Sequence, residues 1–218
     1  MKYFLLIITL FISVLSFGQN SEPETKPDNQ KQSKIRLTPF FSYDFNLSTE
    51  STINGIFTNH YSYKEFNYRV GIDIEYKFTN TLSISSGLNY SARDFSFYSD
   101  CASCDPLSFD YTTELRFLEI PLIGIYTYHI IDFEVFGQLG IINQLNVSLD
   151  IFEENYRPGN VKEYNLNGKI GLGISYPIIK KHRLFIASDY VFGLTDIYEN
   201  YNYKNKTLGI RMGVQFLL

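Results

Sequence analysis

A chain of 218 residues with a formal charge of −4 is enough for one domain with a sizeable interior, and its mild charge favours neither nucleic acid nor anionic lipid as a partner. Tyr and Phe make up the whole of a 17% aromatic fraction, and charged residues reach only 19%, below the roughly one quarter usual for soluble domains. Such a composition suits strands and the boundary between membrane and water.

The first residues carry an export pattern. Lys2 gives a positive start, Phe4 to Leu15 is apolar but for Thr9 and Ser13, and Ser16 and Gly18 are the small residues before a cut at Gln19. The apolar run is too short to span a bilayer, which takes about 20 residues, so residues 1–18 read as a cleaved signal peptide. From Asn20 to Lys34 no large apolar residue occurs. Such a stretch cannot repay its ordering entropy, so residues 19–34 read as a flexible periplasmic lead-in. One domain, 35–218, remains.

Eight strands follow. Residues 35–47 set Ile35, Leu37, Pro39, Phe41, Tyr43, Phe45 and Leu47 against Arg36, Thr38, Ser42, Asp44 and Asn46. In FNYRVGIDIEYKF, 66–78, Phe66, Tyr68, Val70, Ile72, Ile74, Tyr76 and Phe78 oppose Asn67, Arg69, Gly71, Asp73, Glu75 and Lys77. This strict period of two runs longer than the usual strand of about 5–6 residues and suffices to cross a membrane. Leu82, Ile84, Leu88 and Tyr90 alternate with Ser83, Ser85, Gly87 and Asn89. Two more apolar strands lie near 114–128 and 132–148. Three regular ones close the chain over 164–176, 183–193 and 207–218, the last with Leu208, Ile210, Met212, Val214, Phe216 and Leu218 on one face.

Connections alternate between short (79–80, 129–131, 177–182) and long and polar (48–65, 95–113, 149–163, 195–205). Short turns on one side and long loops on the other are the habit of outer-membrane barrels. The expected fold is an all-β, eight-stranded antiparallel up-and-down transmembrane β-barrel with short periplasmic turns and long extracellular loops, in the outer membrane of a Gram-negative cell. A soluble sandwich also alternates, but its strands are shorter and its apolar face is a core. Phe45, Phe66, Tyr68 and Tyr90 near the loops, with Tyr76, Phe78, Tyr126, Tyr128, Phe133 and Tyr176 near the turns, suggest two aromatic girdles.

The opposite faces would line the lumen with cations Arg36, Arg69, Lys77, Arg93, Lys169 and Arg211 and anions Asp44, Asp73, Glu75, Glu119, Glu134 and Asp189. An eight-stranded barrel is just wide enough for its own side chains, and unpaired charges there are costly, so the interior reads as an ion-pair plug rather than a channel. A selective ion path is the functional alternative. Alternation cannot send both Arg116 and Glu119 inward. Either Arg116 sits at the rim or a bulge near Pro121 shifts the phase, and Glu119 is the better inward residue because a carboxylate facing hydrocarbon is costly.

Cys101 and Cys104, at the tip of the second long loop, read as a structural disulfide of an exported protein; free thiols, an intermolecular bond and a metal remain alternatives. Catalysis has little support. His129 and His182 fall in turns, and His60 near Ser62 lacks an assured nucleophile within hydrogen-bond reach. No cofactor motif occurs; Gly171-Leu172-Gly173 lies within a strand. Tyr- and Asn-rich stretches at 61–66, 95–98 and 197–205 suit contact surfaces for proteins or glycans, or serve as plain polar loops.

RFLEIPLIGIYTY at 116–128 resembles a strand motif of the PorT-like outer-membrane β-barrel family, its distinctive part being Leu118-Glu119-Ile120-Pro121-Leu122, and the LGIRMGVQFLL end is similar to that family's terminal strand. The resemblance implies a cleaved signal, a polar lead-in and an eight-stranded barrel. It also implies outer-membrane lipid around the protein and envelope or secretion proteins as partners. It offers no catalytic residues. The expectation is a non-enzymatic structural or accessory module, with a narrow transport or ligand-binding barrel second and an outer-membrane enzyme third.

Overall fold

The computed structural model describes residues 34–47, 49–53, 57–62, 67–101, 109–148, 161–179, 181–199 and 203–218; for 49–53, 57–62, 95–101 and 109–113 it describes the backbone alone. Phe66 lies outside them.

Among the described residues ten strands form: β1 (Ile35–Asn46), β2 (Thr49–Ile53), β3 (Phe57–Ser62), β4 (Asn67–Lys77), β5 (Leu82–Cys101), β6 (Phe109–Ile130), β7 (Phe133–Asn146), β8 (Tyr164–Ile179), β9 (His182–Gly193) and β10 (Lys206–Leu217). Eight of them close a ring. β1 pairs with β4, β4 with β5, and so on through β10, which returns to β1 with every pairing antiparallel. Closure leaves no sheet edge in the wall. The wall faces outward with Ile72, Ile74, Leu139, Leu172, Ile186 and Met212, each about half exposed or more. So continuous an apolar band would be untenable in water, and it fits lipid. Tyr76, Phe78, Tyr126, Tyr128, Phe133 and Tyr176 are exposed near the turns, and Phe45 and Tyr164 near the opposite end.

Two expectations are corrected, and one open alternative is decided. The described residues within 48–65 and 95–113 are strand rather than plain loop, because β5 and β6 continue in one unbroken register out to Ser99 opposite Phe109. The β2–β3 hairpin takes over as β5's other neighbour once β4 has ended. Phe, Tyr and Thr in these segments favour extended backbone despite their polar neighbours. The alternative at Arg116 is decided for the rim, since no bulge forms at Pro121. The β5–β6 ladder skips the positions opposite Pro121 and Ile120 and resumes unshifted, with Ser86 opposite Leu122 and Asn89 opposite Glu119. Proline's missing N–H opens a gap in the ladder without adding a residue. Arg116 therefore lies on the outward face at the rim, ion-paired with Asp94 and Glu114. Register shifts instead between Pro177 and Ile179.

The second correction concerns the interior. It is not uniformly polar: Phe40, Ile123, Ile125, Phe136, Phe185 and Ala187 form one buried apolar cluster inside the barrel. Gly173 makes room for it, since a Cβ there would run into the Phe136 ring and Ala187.

Candidate functional site

The lumen is organised in tiers because each strand delivers every second side chain inward, and antiparallel pairing brings those of neighbouring strands to one height. The tier toward the long connections joins Asp44 of β1, Arg69 and Asp73 of β4, Arg93 of β5, Glu119 of β6, Lys169 of β8, Asp189 of β9 and Arg211 of β10. Arg69 stands 3.4 Å from Asp44, 3.6 Å from Asp189 and 4.0 Å from Glu119. Arg93 lies 3.4 Å from Glu119 and 3.6 Å from Asp44. Asp189 also meets Lys169 at 2.9 Å and Arg211 at 3.2 Å, and Arg211 reaches Asp73 at 3.0 Å. Four cations face four carboxylates, so the tier is neutral.

Hydrogen bonds tie this tier to the wall. Gln144 donates to Glu119 (2.6 Å), Asn167 to Gln144 (2.5 Å), Ser42 to Asp44 (2.5 Å) and Arg93 to the Thr207 hydroxyl (2.8 Å). Gly209 matters here, because a Cβ would strike the Asp44 carboxylate beneath Ser42 and Arg69. Asp189 and Glu119 are 0% exposed, so these charges are held by one another and not by solvent.

Below lies the apolar cluster. The Arg211 guanidinium sits over two of its rings, 5.0 Å from Phe40 and 5.4 Å from Phe185, where a cation gains from the π face.

A second ionic tier fills the end toward the short turns. Arg36 contacts Glu134 at 3.1 Å and Glu75 at 3.5 Å and donates to Gln215 at 3.2 Å. Arg183 and His129 each stand 3.4 Å from Glu134, and Lys77 lies 4.0 Å away. Arg183 also donates to the Asp132 and Ser175 carbonyls (2.9 and 3.1 Å), linking the β6–β7 turn to β8. Within the lumen three cations now meet two carboxylates, and solvent reaches them: the Lys77 side chain is 18% exposed.

The far mouth is capped. Residues 194–199 and 203–205 lie across it, with Leu194 N–H donating to Leu166 O (2.9 Å), Ile197 N–H to Tyr203 O (2.9 Å) and Lys162 N–H to Ile197 O (2.8 Å). Ile197, Tyr198 and Tyr203 pack on Leu115 and Phe117 as a second buried apolar cluster.

Sequence reasoning names twelve lumen charges, and the structure brings all twelve into these two tiers. It leaves out Arg183, the six apolar residues and the cap. The signal for the apolar tier is the unbroken run Ile123-Gly124-Ile125-Tyr126, which puts apolar residues on both faces of β6. Leu118, Ile120 and Leu122 of the motif face outward, while Glu119 and Pro121 face inward. Cys101 ends β5, but its side chain, that of His60, and Cys104 altogether lie outside the described residues. Among the described residues, no group of three His, Cys, Asp or Glu side chains could hold a metal ion.

A family model described as an outer membrane protein beta-barrel domain matches residues 17–199. The chain belongs to that family. Among solved structures it is similar to Neisserial surface protein A at 12% identity, covering 87% of this chain and 100% of that one with a TM-score of 0.50. The N-terminal barrel of OprF from Pseudomonas aeruginosa matches at 13% identity, with 85% and 98% covered and a TM-score of 0.48. The outer membrane protease OmpT from Escherichia coli matches at 9%, with 89% and 99% covered and a TM-score of 0.44. At such identities the likeness is one of fold. No curated protein matches the chain.

Proposed function

We propose that this outer-membrane barrel is a non-enzymatic structural or accessory interaction module with a sealed lumen, exported by cleavage after residue 18 and serving a secretion or envelope assembly of the kind the PorT-like resemblance implies. The observation that supports the sealed lumen is the stack of a neutral ionic tier, an apolar tier and an apolar cap across the bore. An ion crossing it would have to break several buried pairs, and each bare charge left behind would be costly. With transport set aside, the protein's work falls to its outer surfaces, where β5, β6 and the β2–β3 hairpin carry the wall beyond the ring. A disulfide between Cys101 and Cys104 would brace the tip of that extension, and mass measurement before and after reduction reads it.

Planar-bilayer recording of the purified barrel tests the seal: no steady conductance is expected, and a stable open channel would overturn the reading. Cross-linking in cells followed by affinity capture tests the module. Recovery of defined envelope proteins supports it, and recovery of the barrel alone from cross-linked envelopes counts against it.

A further inference from the structure

The two ends of the lumen differ in more than charge. A cavity of about 20 Å³ lies between the ionic tiers, beside the rings of Phe136 and Phe185. Its polar lining includes Arg36, Asp73, Glu75, Thr127, Gln138 and Arg211. That volume admits one water molecule, which needs two to four polar partners to stay. Partners are at hand. Asp73 Oδ1 and Arg36 Nε have no hydrogen-bonding partner among the described residues, although Arg36 is 2% exposed and Asp73 8%. One is an acceptor and the other a donor, the two kinds of group that hold water, and both belong to side chains that line the cavity. Arg36 and Arg211 cancel Asp73 and Glu75, so the lining favours an uncharged occupant over an ion.

Access is one-sided. Above the cavity stands the buried ion-paired tier from Arg211 to Glu119, with the Ile197–Tyr198–Tyr203 cap beyond it. Beneath it stand Arg36 and Glu75, then the partly exposed Lys77 and Arg183, whose long side chains swing more easily than a packed ring. We infer that the turn-side half of the lumen is a blind, hydrated vestibule that exchanges water with the periplasm alone, and ends at the Asp73–Arg211 pair. The direction of opening rests on the outer-membrane reading above, which places the short turns in the periplasm.

Hydroxyl-radical footprinting of the wild-type barrel in nanodiscs, with radicals made from water by an X-ray pulse, reads this directly. Phe136 and Phe185 border the cavity and should oxidise several-fold faster than Phe117, which is buried beneath the cap. Protection of Phe136 and Phe185 equal to that of Phe117 would overturn the vestibule and leave the sealed barrel standing. Rapid oxidation of all three would mean water throughout the bore, and would sink the sealed-lumen reading itself. An Ile197→Gly/Tyr198→Ala variant, checked for the heat-dependent gel shift of a folded barrel, supplies the direction. Faster labelling of Phe117 with unchanged labelling of Phe136 is expected; a matching rise at Phe136 would show entry from outside and refute one-sided access.

Discussion

The two ionic tiers use the same residue types and reach different ends. Around Asp189 and Glu119, four cations and four carboxylates are stacked, all of them buried, and bridged by Gln144, Asn167, Ser42 and Thr207. Around Glu134, cations outnumber carboxylates and the outermost ones are wet. The lesson is that burial, not the count of ion pairs, sets what each pair contributes. A buried pair does little beyond replacing hydration, yet losing one partner strands a charge, whereas an exposed pair is screened by water and changes little either way.

Four substitutions sharpen or break this contrast, each read by urea titration of the folded band in lipid vesicles. Arg69→Met leaves Asp44, Glu119 and Asp189 without their shared cation and should cost about 3–5 kcal/mol or prevent folding outright. Phe185→Ala removes a ring from the apolar tier and should cost about 3 kcal/mol, the low end for a buried Phe because water can enter from the adjoining cavity. Glu134→Gln leaves Arg36 with Glu75 and keeps an acceptor, so about 1–3 kcal/mol is expected. Lys77→Gln, at 4.0 Å and partly exposed, should shift stability by less than about 1 kcal/mol. A loss at Lys77 matching that at Arg69 would abolish the distinction between tiers.

Much of the barrel is legible in the sequence because a strand bathed in lipid on one side and a polar lumen on the other prints its geometry as alternation. β4 is the clearest case, with Ile72 and Ile74 outward and Asp73 and Glu75 inward. β6 and β7 are less legible because Ile123, Ile125 and Phe136 point inward, so the contrast between faces fades. Which charges meet is also hidden. Arg36 and Glu134 come from strands across the bore, and no local pattern records that they touch. The cap is invisible for a related reason: IYENYNYKN reads as a polar loop, and only contact with Leu115 and Phe117 makes Ile197, Tyr198 and Tyr203 core residues.

The seam between β1 and β10 has a consequence for how such a wall is made. It joins the first strand to the last, Arg36 facing Leu217, and it is the final contact available to a chain emerging from its N-terminus. Arg211 and Asp73, 138 positions apart, and Arg36 and Gln215, 179 apart, meet only when it zips. Until then, an unfinished sheet carries unmatched charge on one side and grease on the other, suited neither to periplasm nor to bilayer. Long-range pairing of this kind is slow, so the half-made cylinder depends on being shielded from both surroundings through the moment of circularisation.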